Sequence, residues 1–276
     1  MWTVTARDAQ IPALGFGTFT LVPDDCRRMV RAALDMGYRH IDTAQIYENE
    51  AAVGDAIVGA GVPRNDLWLT TKVWVTAFRD GDLQRSVDES LRRLRVDHVD
   101  LLLLHWPNPE VDLAESLGAI AAVKRAGKAR HIGISNFTVA LTEQAVALSP
   151  EPLVTNQVEY HPYLNQDPVL AAARGHGMAI TAYSPIAQGA IMGDPVLKDI
   201  GAAHGGRSEV QVALRWLIQQ DGVCAIPRTR SEDHARRNLD IFDFELSADE
   251  MAAIKALQRA NGRQISPEGL APEWDT

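Results

Sequence analysis

Four ionisable side chains in the first part of the chain could together protonate a carbonyl oxygen: Asp42, Tyr47, Lys72 and His105. A phenol has an ordinary pKa of about 10, so it donates a proton readily only when a neighbour stabilises the phenolate. An ammonium such as that of Lys72 does this, a carboxylate beside it keeps the ammonium charged, and a histidine can orient the carbonyl oxygen. The set therefore suits reduction of a C=O group by hydride, with Tyr47 as the proton donor.

Each of the four residues also has an ordinary structural interpretation. Asp42 precedes Thr43, a common turn pair, and a lone tyrosine such as Tyr47 is usually a half-buried surface residue. Lys72 could be solvated at a strand end, and His105 could be a hydrogen-bonded core histidine. Only convergence of all four side chains at one place in the fold would favour catalysis over these separate roles.

Two other kinds of site compete with carbonyl reduction. A serine nucleophile is disfavoured because Ser135 is followed by Asn136, without the Gly-x-Ser-x-Gly turn that exposes such a serine. A metal site for hydrolysis is the stronger rival, although the sequence has neither a His-x-His pair nor a His-Glu-x-x-His helix, and we expect no resident metal. Its candidate ligands are His40, Asp42, His105, Glu159 and His161.

Eight short apolar runs alternate with segments of helical periodicity. Nearly continuous apolar runs are typical of parallel strands that are covered by helices. The predicted strands are Leu14–Gly17, Arg39–Asp42, Leu67–Val73, Val99–His105, His131–Ser135, Val154–Glu159, Ala179–Ser184 and Val223–Pro227. Eight such units without a Pro-, Gly- or Ser-rich linker predict an α/β fold, a single (β/α)8 TIM barrel that spans residues 1–276 as one domain.

The alternative to a barrel is an open, doubly wound sheet. It is disfavoured because Gly15-Phe16-Gly17 lacks the third glycine and the immediate helix of a dinucleotide fingerprint. The segment before Leu14 is expected to form a short N-terminal hairpin that closes the barrel bottom. The segment after Ala260 is expected to be an irregular C-terminal tail, because glycines and prolines interrupt any helix there.

Apolar residues at helical spacing and capping residues support the predicted helices. The i, i+3, i+4 pattern of an amphipathic helix is formed by Cys26, Met29, Val30, Ala33 and Leu34. Gly37 can adopt the left-handed backbone conformation that commonly ends a helix. Ser208 and Gln211 have the spacing of a capping box. Two helices fit before the last strand.

Catalytic groups of a barrel project from the C-terminal ends of its strands. Asp42 ends the second predicted strand, Tyr47 lies in the loop beyond it, Lys72 is near the end of the third strand, and His105 ends the fourth. The barrel therefore predicts that the four side chains meet at one rim.

Composition excludes several classes of protein. The 276 residues include 46% hydrophobic and 23% charged residues, ordinary values for a globular chain. The net charge of −9 disfavours binding to nucleic acid or to an anionic membrane. Cys26 and Cys224 lie in apolar segments without motif spacing, so buried reduced thiols are expected. The start of the chain has no apolar signal-peptide region, which indicates the cytoplasm.

Six motifs resemble those of the aldo-keto reductase family. They are Gly37-Tyr38-Arg39-His40-Ile41-Asp42-Thr43-Ala44 with Tyr47, Thr71-Lys72-Val73-Trp74, Leu104-His105-Trp106-Pro107, Gly133-Ile134-Ser135-Asn136-Phe137, Asn156-Gln157-Val158-Glu159-Tyr160-His161-Pro162 and Ala182-Tyr183-Ser184-Pro185. They occur in register over nearly the whole chain and are jointly very specific. The ending 266–275 is similar to that of the bacterial 2,5-diketo-D-gluconate reductases, especially the B-type members that also reduce methylglyoxal.

The resemblance implies a role for each matching position. Tyr47 would be the proton donor, tuned by Lys72 and Asp42, and His105 would orient the carbonyl of a small-molecule substrate. The cofactor would be NADPH, bound extended without a Rossmann fold, and the protein would be a monomer. The implied cofactor contacts are Gly17, Thr18, Asp42, Ser135, Asn136, Gln157, Tyr183, Ser184, Ile226, Arg228, Thr229, Arg230, His234 and Asn238. Among these, Ser135, Asn136 and Gln157 would bind the nicotinamide carboxamide, and Tyr183 would stack on the ring.

The residues expected to bind the adenosine end of the cofactor depart from the family pattern. The family often has Ile-Pro-Lys-Ser and a later arginine, whereas this chain has Ile226-Pro227-Arg228-Thr229-Arg230-Ser231 and His234. A turn with two guanidinium groups before a helix predicts a site for the 2′-phosphate, with a solvated basic turn as the alternative. With histidine at position 234, the preference for NADPH over NADH is expected to be weaker and sensitive to pH.

Short loops after strands four and seven leave little chain to build a deep substrate pocket. The candidate substrate contacts are Phe19, Tyr47, Trp74, His105, Trp106 and Trp274, and packing of the rim is the alternative role of the aromatic residues. An open, partly polar rim suits small aldehydes, α-dicarbonyls and keto sugars. The competing hypothesis for the whole chain is a nucleotide-binding barrel that acts as a sensor without turnover.

Overall fold

Eight parallel strands form the centre of the computed structural model, which describes residues 2–275. Strands β1 (Thr3–Ala6) and β2 (Ala9–Pro12) precede them as an antiparallel hairpin. The parallel strands are β3 (Phe16–Gly17), β4 (His40–Asp42), β5 (Trp68–Val73), β6 (Val99–Leu104), β7 (Ala129–Ser135), β8 (Leu153–Glu159), β9 (Ala179–Tyr183) and β10 (Val223–Ala225). Each of the eight pairs with the next, and a parallel bridge from Leu14 to Ala225 joins the last strand to the first. The predicted (β/α)8 barrel is confirmed.

All eight predicted strands are present, with ends that differ from the prediction by two residues or fewer. At the seam, β3 and β10 are each two residues shorter than predicted, whereas β7 begins two residues earlier than predicted. Beyond Ala225 the chain reaches Pro227, which has no N–H to donate to a ladder, although its carbonyl still accepts a bond of 3.0 Å from the Gly17 amide. Leu14 and Gly15 likewise bond across the seam while lying outside the regular strand.

Within residues 2–275, ten helices cover the outside of the barrel. They are α1 (Pro23–Met36), α2 (Glu50–Ala60), α3 (Asp82–Leu94), α4 (Leu113–Arg125), α5 (Val139–Leu148), α6 (Asp167–Gly175), α7 (Pro195–Ala203), α8 (Glu209–Ile218), α9 (Glu232–Leu239) and α10 (Ala248–Lys255). The predicted stripe of α1 is buried throughout, and Gly37 ends that helix at a φ of 107°. The Ser208–Gln211 capping box opens α8, and two helices, α7 and α8, precede the last strand as expected.

The hairpin and the C-terminal tail lie at opposite ends of strand β8. Arg7, in the turn of the hairpin, donates to the carbonyl of Leu153, the first residue of β8. After α10 the chain is irregular, as predicted, and backbone amides of this tail donate to Glu159, the last residue of β8. The tail therefore lies at the carboxyl end of the barrel, where the candidate catalytic residues are predicted.

Both cysteines are buried free thiols, as expected. Burial raises the pKa of the Cys26 thiol and that of the Cys224 thiol to about 12, so both stay protonated at neutral pH. No helix within residues 2–275 has the length and apolarity needed to cross a membrane.

Candidate active site

Lys72 lies at the centre of the candidate site. Its ammonium donates to Asp42 Oδ1 at 2.5 Å, to the Thr43 carbonyl at 2.9 Å and to the Tyr47 hydroxyl at 3.3 Å. The Lys72 side chain is completely buried and that of Asp42 is 3% exposed. An amine enclosed in this way cannot be a solvated strand end, so the structural interpretation of Lys72 from the sequence is excluded.

The alternation of strand β5 explains why this lysine faces inward. Successive side chains of a strand point to opposite faces, so Thr71 points outward while Lys72 points into the barrel. Thr71 donates to the buried carboxylate of Glu50 at 2.6 Å, and Arg93 pairs with the same carboxylate at 2.8 Å. These outer contacts fix β5 against the helices that carry Glu50 and Arg93.

The phenol is held by the turn that follows strand β4. Tyr47 ends a short 3₁₀ turn, Gln45–Tyr47, and the next residues enter α2. Asn49 is buried and donates to the carbonyls of Thr18 and Leu21, while it accepts from Thr43 at 2.9 Å. Asn49 therefore ties the loop after β3 to the turn that carries Tyr47.

His105 completes the group. Its ring lies edge-on to the Tyr47 ring at 5.7 Å and to the Trp74 ring at 5.3 Å. His105 is 6% exposed, and its Nδ1 has no hydrogen-bond partner among residues 2–275. All four predicted catalytic side chains are thus brought together at the carboxyl rim, while their roles stay predictions.

Burial sets the protonation states of the group. The pKa of Tyr47 is raised well above 10 by burial and by the charge of Asp42, so the phenol keeps its proton at neutral pH. The pKa of His105 is lowered well below 6.5 by burial and by the Lys72 ammonium, so the imidazole is neutral. Burial lowers the pKa of Lys72, and the adjacent Asp42 carboxylate opposes that shift.

Hydrogen bonds connect the candidate catalytic residues to strands β7 and β8. Gln157 donates to Asp42 Oδ2 at 2.8 Å, and the Ser135 hydroxyl donates to the Gln157 carbonyl at 2.8 Å. Asn136 donates to the carbonyl of His105 at 3.0 Å and accepts from the Tyr183 hydroxyl at 2.8 Å. The predicted nicotinamide contacts therefore form one network with the catalytic group, which the sequence did not indicate.

The loop after β3 crosses the same rim. Thr18 is buried and its hydroxyl donates to the Asp42 carbonyl at 3.0 Å. A Cβ on Gly17 would lie 2.9 Å from the Ile226 carbonyl, so only glycine fits where this loop meets the chain after β10. Ser184 directly follows β9 with a φ of 46°. These predicted cofactor contacts line the rim between β9 and β4.

The two arginines of the basic turn after β10, Arg228 and Arg230, are exposed. Burial, and to a smaller extent the neighbouring Arg230 guanidinium, lowers the pKa of Arg228. Arg230 donates to the Thr20 carbonyl at 2.9 Å, while Thr229 is buried. The Ser231 hydroxyl caps α9 by accepting from the His234 amide, so the two arginines precede a helix N-terminus as predicted. Within α9, Asn238 is buried and His234 is exposed.

Two of the candidate substrate contacts, Phe19 and Trp74, pack against Tyr47 and His105. Phe19 is 55% exposed and its ring lies 5.0 Å from that of Tyr47. Trp74 is held because its amide donates to Gln45 at 2.9 Å. Trp106 packs edge-on against Trp274 of the tail at 6.2 Å. Phe19 and Trp74 thus border the candidate catalytic group, whereas Trp106 and Trp274 pair with each other.

The rival metal interpretation does not match this geometry. Glu159 and His161 bond to each other, and Glu159 accepts further bonds from the C-terminal tail. His40 lies at the hairpin end, where its Nδ1 is 3.2 Å from the Pro12 carbonyl. Among residues 2–275, no group of three or more His, Cys, Asp or Glu side chains could hold a metal ion.

Sequence reasoning missed three residues that organise the site. Gln45, Asn49 and Glu50 belong to no motif of their own, although Asn49 and Glu50 lie shortly after the turn that holds the phenol. The only indication in the sequence is that these two polar residues stand at the start of a helix whose later residues are mostly small and apolar. Gln45 could not have been found, because its partners Ser86 and Ser90 are about 40 residues away.

Comparisons with known proteins agree with this geometry. Residues 13–259 match the Aldo/keto reductase family. Methylglyoxal reductase DkgB of Escherichia coli O157:H7 is 46% identical over 268 residues, which cover 96% of this chain and 99% of that protein.

Solved structures give the same result. A crystal structure provisionally assigned as a 2,5-diketo-D-gluconic acid reductase B is 54% identical, with a TM-score of 0.98, and covers 100% of this chain and 98% of that one. A variant of Gox0644 in complex with NADPH is 31% identical, with a TM-score of 0.90 and 96% coverage of both chains. The chain, with its barrel and its buried Asp42–Lys72–Tyr47 group beside His105, belongs to the aldo/keto reductase family.

Proposed function

We propose that the protein reduces the carbonyl group of small aldehydes, α-dicarbonyls or keto sugars to an alcohol with NADPH, and that Tyr47 donates the proton. The observation that carries this proposal is the buried Lys72 ammonium bonded to both Asp42 and the Tyr47 hydroxyl. The named relatives support the substrate class, since one is a methylglyoxal reductase and another is assigned to 2,5-diketo-D-gluconic acid.

The residues present fit an extended dinucleotide phosphate. Arg228 and Arg230 place two positive charges in front of the N-terminus of α9, and a 2′-phosphate would neutralise them. Tyr183 offers its ring beside the catalytic group, held in place by its bond to Asn136. Two related structures hold NADP or NADPH, which supports the same choice of cofactor.

NADPH, when bound, supplies the hydride that reaches the carbonyl carbon. The neutral imidazole of His105 donates a hydrogen bond to the carbonyl oxygen and so orients the substrate. Tyr47 then gives its proton to that oxygen, which completes the alcohol. The Lys72 ammonium stabilises the tyrosinate that remains, Asp42 keeps Lys72 charged, and solvent returns the proton.

Removal of the Tyr47 hydroxyl tests this assignment. Tyr47→Phe should keep NADPH binding, measured by fluorescence titration, and lose turnover of methylglyoxal by about 10² or more, because a positioned general acid contributes on that scale. Tyr160→Phe is the matched control, since its hydroxyl bonds to Gln220 instead and its loss should leave turnover unchanged.

The alternative is a nucleotide-binding barrel without turnover. A wild-type protein that binds NADPH tightly yet consumes none with methylglyoxal, 2,5-diketo-D-gluconate or other small aldehydes would favour this alternative. Intact Asp42, Lys72, Tyr47 and His105 argue against it, because a binding module has no need of a proton donor. A monomeric, cytoplasmic, single-domain protein completes the proposal.

A further inference from the structure

Two short segments of the chain cross at the candidate active site. Residues 45–50, the turn after β4 and the start of α2, carry Tyr47. Residues 71–74, at the end of β5, carry Lys72. The bond between the Lys72 ammonium and the Tyr47 hydroxyl joins the two segments inside the barrel. Because an ammonium stabilises a tyrosinate only from close by, the spacing of these segments sets the strength of the proton donor.

This inner bond is the longest of the three that Lys72 makes. The ammonium lies 2.5 Å from Asp42, 2.9 Å from the Thr43 carbonyl and 3.3 Å from the Tyr47 hydroxyl. The two shorter bonds fix the ammonium, whereas the third is weak, since N–H···O bonds rarely exceed about 3.2 Å. Other contacts must therefore hold the Tyr47 turn against the end of β5.

Two outer bonds between the same segments flank the inner one. Gln45 Oε1, at the start of the turn, accepts from the Trp74 amide at 2.9 Å. Glu50 Oε1, three residues beyond the phenol, accepts from the Thr71 hydroxyl at 2.6 Å. Because the two segments run past each other in opposite order, the bond between ammonium and phenol lies between the two outer bonds.

Helix α3 supports both outer bonds. The Gln45 amide donates to the hydroxyl groups of Ser86 and Ser90 at 3.2 and 3.0 Å. Arg93 donates to Glu50 Oε2 at 2.8 Å and to the Ser90 hydroxyl at 3.3 Å. Glu50 and Ser90 are buried, and the other three side chains are half-buried. The two outer bonds are therefore parts of one network that α3 completes.

We infer that Gln45 and Glu50 are positioning residues of the proton donor, which hold the Tyr47 hydroxyl within reach of the Lys72 ammonium. The inference rests on the proposed function, in which Tyr47 gives its proton to the substrate. Loss of either outer bond lets the two segments move apart. The rate of the chemical step then falls, whereas the binding of NADPH stays the same.

Single-turnover reduction of methylglyoxal by the full chain with bound NADPH tests the inference. Gln45→Met removes both hydrogen-bonding groups of that side chain at similar length, and Thr71→Val removes only the hydroxyl that donates to Glu50. Each variant should lower the single-turnover rate about 10-fold, because small displacements of catalytic groups cost up to about 10²-fold. The Kd for NADPH, measured by fluorescence titration, should change less than about 2-fold.

Matched controls make the same two changes away from this network. Gln84→Met removes a half-buried amide group that accepts from the Gly81 amide and donates to Asp80. Thr155→Val removes a buried strand hydroxyl that donates to the Ala179 carbonyl. Both controls should keep the single-turnover rate within about 2-fold of the wild type. Equal losses in the controls and in the test variants would overturn the inference.

A double-mutant cycle separates positioning from a merely structural role. In the Tyr47→Phe background no phenol is left to position, so Gln45→Met and Thr71→Val should lower the residual rate less than about 2-fold. An equal loss in the wild-type and Tyr47→Phe backgrounds would overturn the inference. Should Gln45→Met fail to fold, Thr71→Val gives the same test, since valine has nearly the shape of threonine.

Failure of the inference and failure of the proposed function give different results. If the wild type with bound NADPH reduces no carbonyl substrate, or if Tyr47→Phe is as fast as the wild type, the proposed function fails and the inference fails with it. If the wild type is active, Tyr47→Phe is slow, and both Gln45→Met and Thr71→Val keep the wild-type rate, the inference alone is overturned.

Discussion

The two ends of the proposed cofactor site present positive charge in opposite surroundings. At the catalytic end, Lys72 is fully buried and bonded to an almost fully buried Asp42. At the adenosine end, Arg230 is 56% exposed, and its contact with Asp25 spans 3.9 Å. One cation thus has a fixed partner in a desolvated interior, and the other faces water.

This difference follows from what each end has to do. A charge acts on a proton transfer most strongly where water is excluded, since the effective dielectric constant is low there. A phosphate carried by a diffusing ligand must instead enter and leave, so its site stays open to solvent and is screened by salt. The variants below break or sharpen this contrast, in order of decreasing effect.

Loss of the buried cation should have the largest effect. Lys72→Met leaves Asp42 buried with Gln157 as its remaining side-chain partner and removes the charge that stabilises the tyrosinate. We expect kcat to fall about 10³-fold and the free energy of unfolding to fall by about 3 kcal/mol. Turnover assays and denaturant unfolding measure the two effects.

Lys124→Met is the control for Lys72→Met. Lys124 pairs with Glu151 at 3.3 Å on the outside of the barrel, with both side chains partly exposed. Its loss should cost less than about 1 kcal/mol and leave kcat unchanged. Equal losses in the two variants would show that burial does not distinguish the two cations.

Reversal of charge at the adenosine end should act on binding alone. Arg228→Glu should raise KM for NADPH by about 10- to 100-fold, because charge-assisted bonds to phosphate are lost, and should change KM for NADH far less. Arg237→Glu, in the last turn of α9, is the control. A similar rise for both cofactors would remove Arg228 from the 2′-phosphate site.

A smaller effect is expected at His234. Its side chain is exposed in the first turn of α9, two residues beyond the start of the helix. His234→Arg should increase the ratio of kcat/KM for NADPH to that for NADH by about 3- to 10-fold, since a permanent charge joins Arg228 and Arg230. An unchanged ratio at pH 8 would mean that position 234 does not face the phosphate.

The smallest effect concerns pH. The pKa of His105 is lowered, so it stays neutral until the pH falls well below 6.5, and the pKa of Tyr47 is raised, so it stays protonated until the pH rises well above 10. The rate of reduction in a single turnover should therefore vary less than about 2-fold between pH 6 and 8. A step near pH 6.5 would contradict the neutral state of His105.

The catalytic group can be predicted from the sequence because each of its residues is recognised from its own strand or the loop that follows it. Asp42, Lys72 and His105 each stand at the end of an apolar run, and closure of the barrel alone brings such ends together. The same logic gives the eight strands with ends that lie within two residues of the observed ones.

Contacts to the backbone escape this reasoning. Glu159 was a candidate metal ligand in the sequence, whereas two of its partners are main-chain amides, those of Gln264 and Ile265. Any residue other than proline offers such an amide. The hydrogen bond between Gln157 and Asp42 is equally impossible to predict from the sequence, since 115 residues separate the two. Side chains that hold other residues in place, such as Asn49, follow no regular spacing by which the sequence would reveal them.

The seam between the first and last strands of the barrel has a consequence for folding. Leu14 pairs with Ala225, roughly 210 residues later, so the barrel closes only when nearly the whole chain has been synthesised. Gly17 and Thr18 stand on one side of that seam, and Arg228 and Arg230 stand on the other. A ligand that spans both sides binds the closed form only, so NADPH should act as a clasp that raises the melting temperature of the barrel in proportion to the logarithm of its concentration.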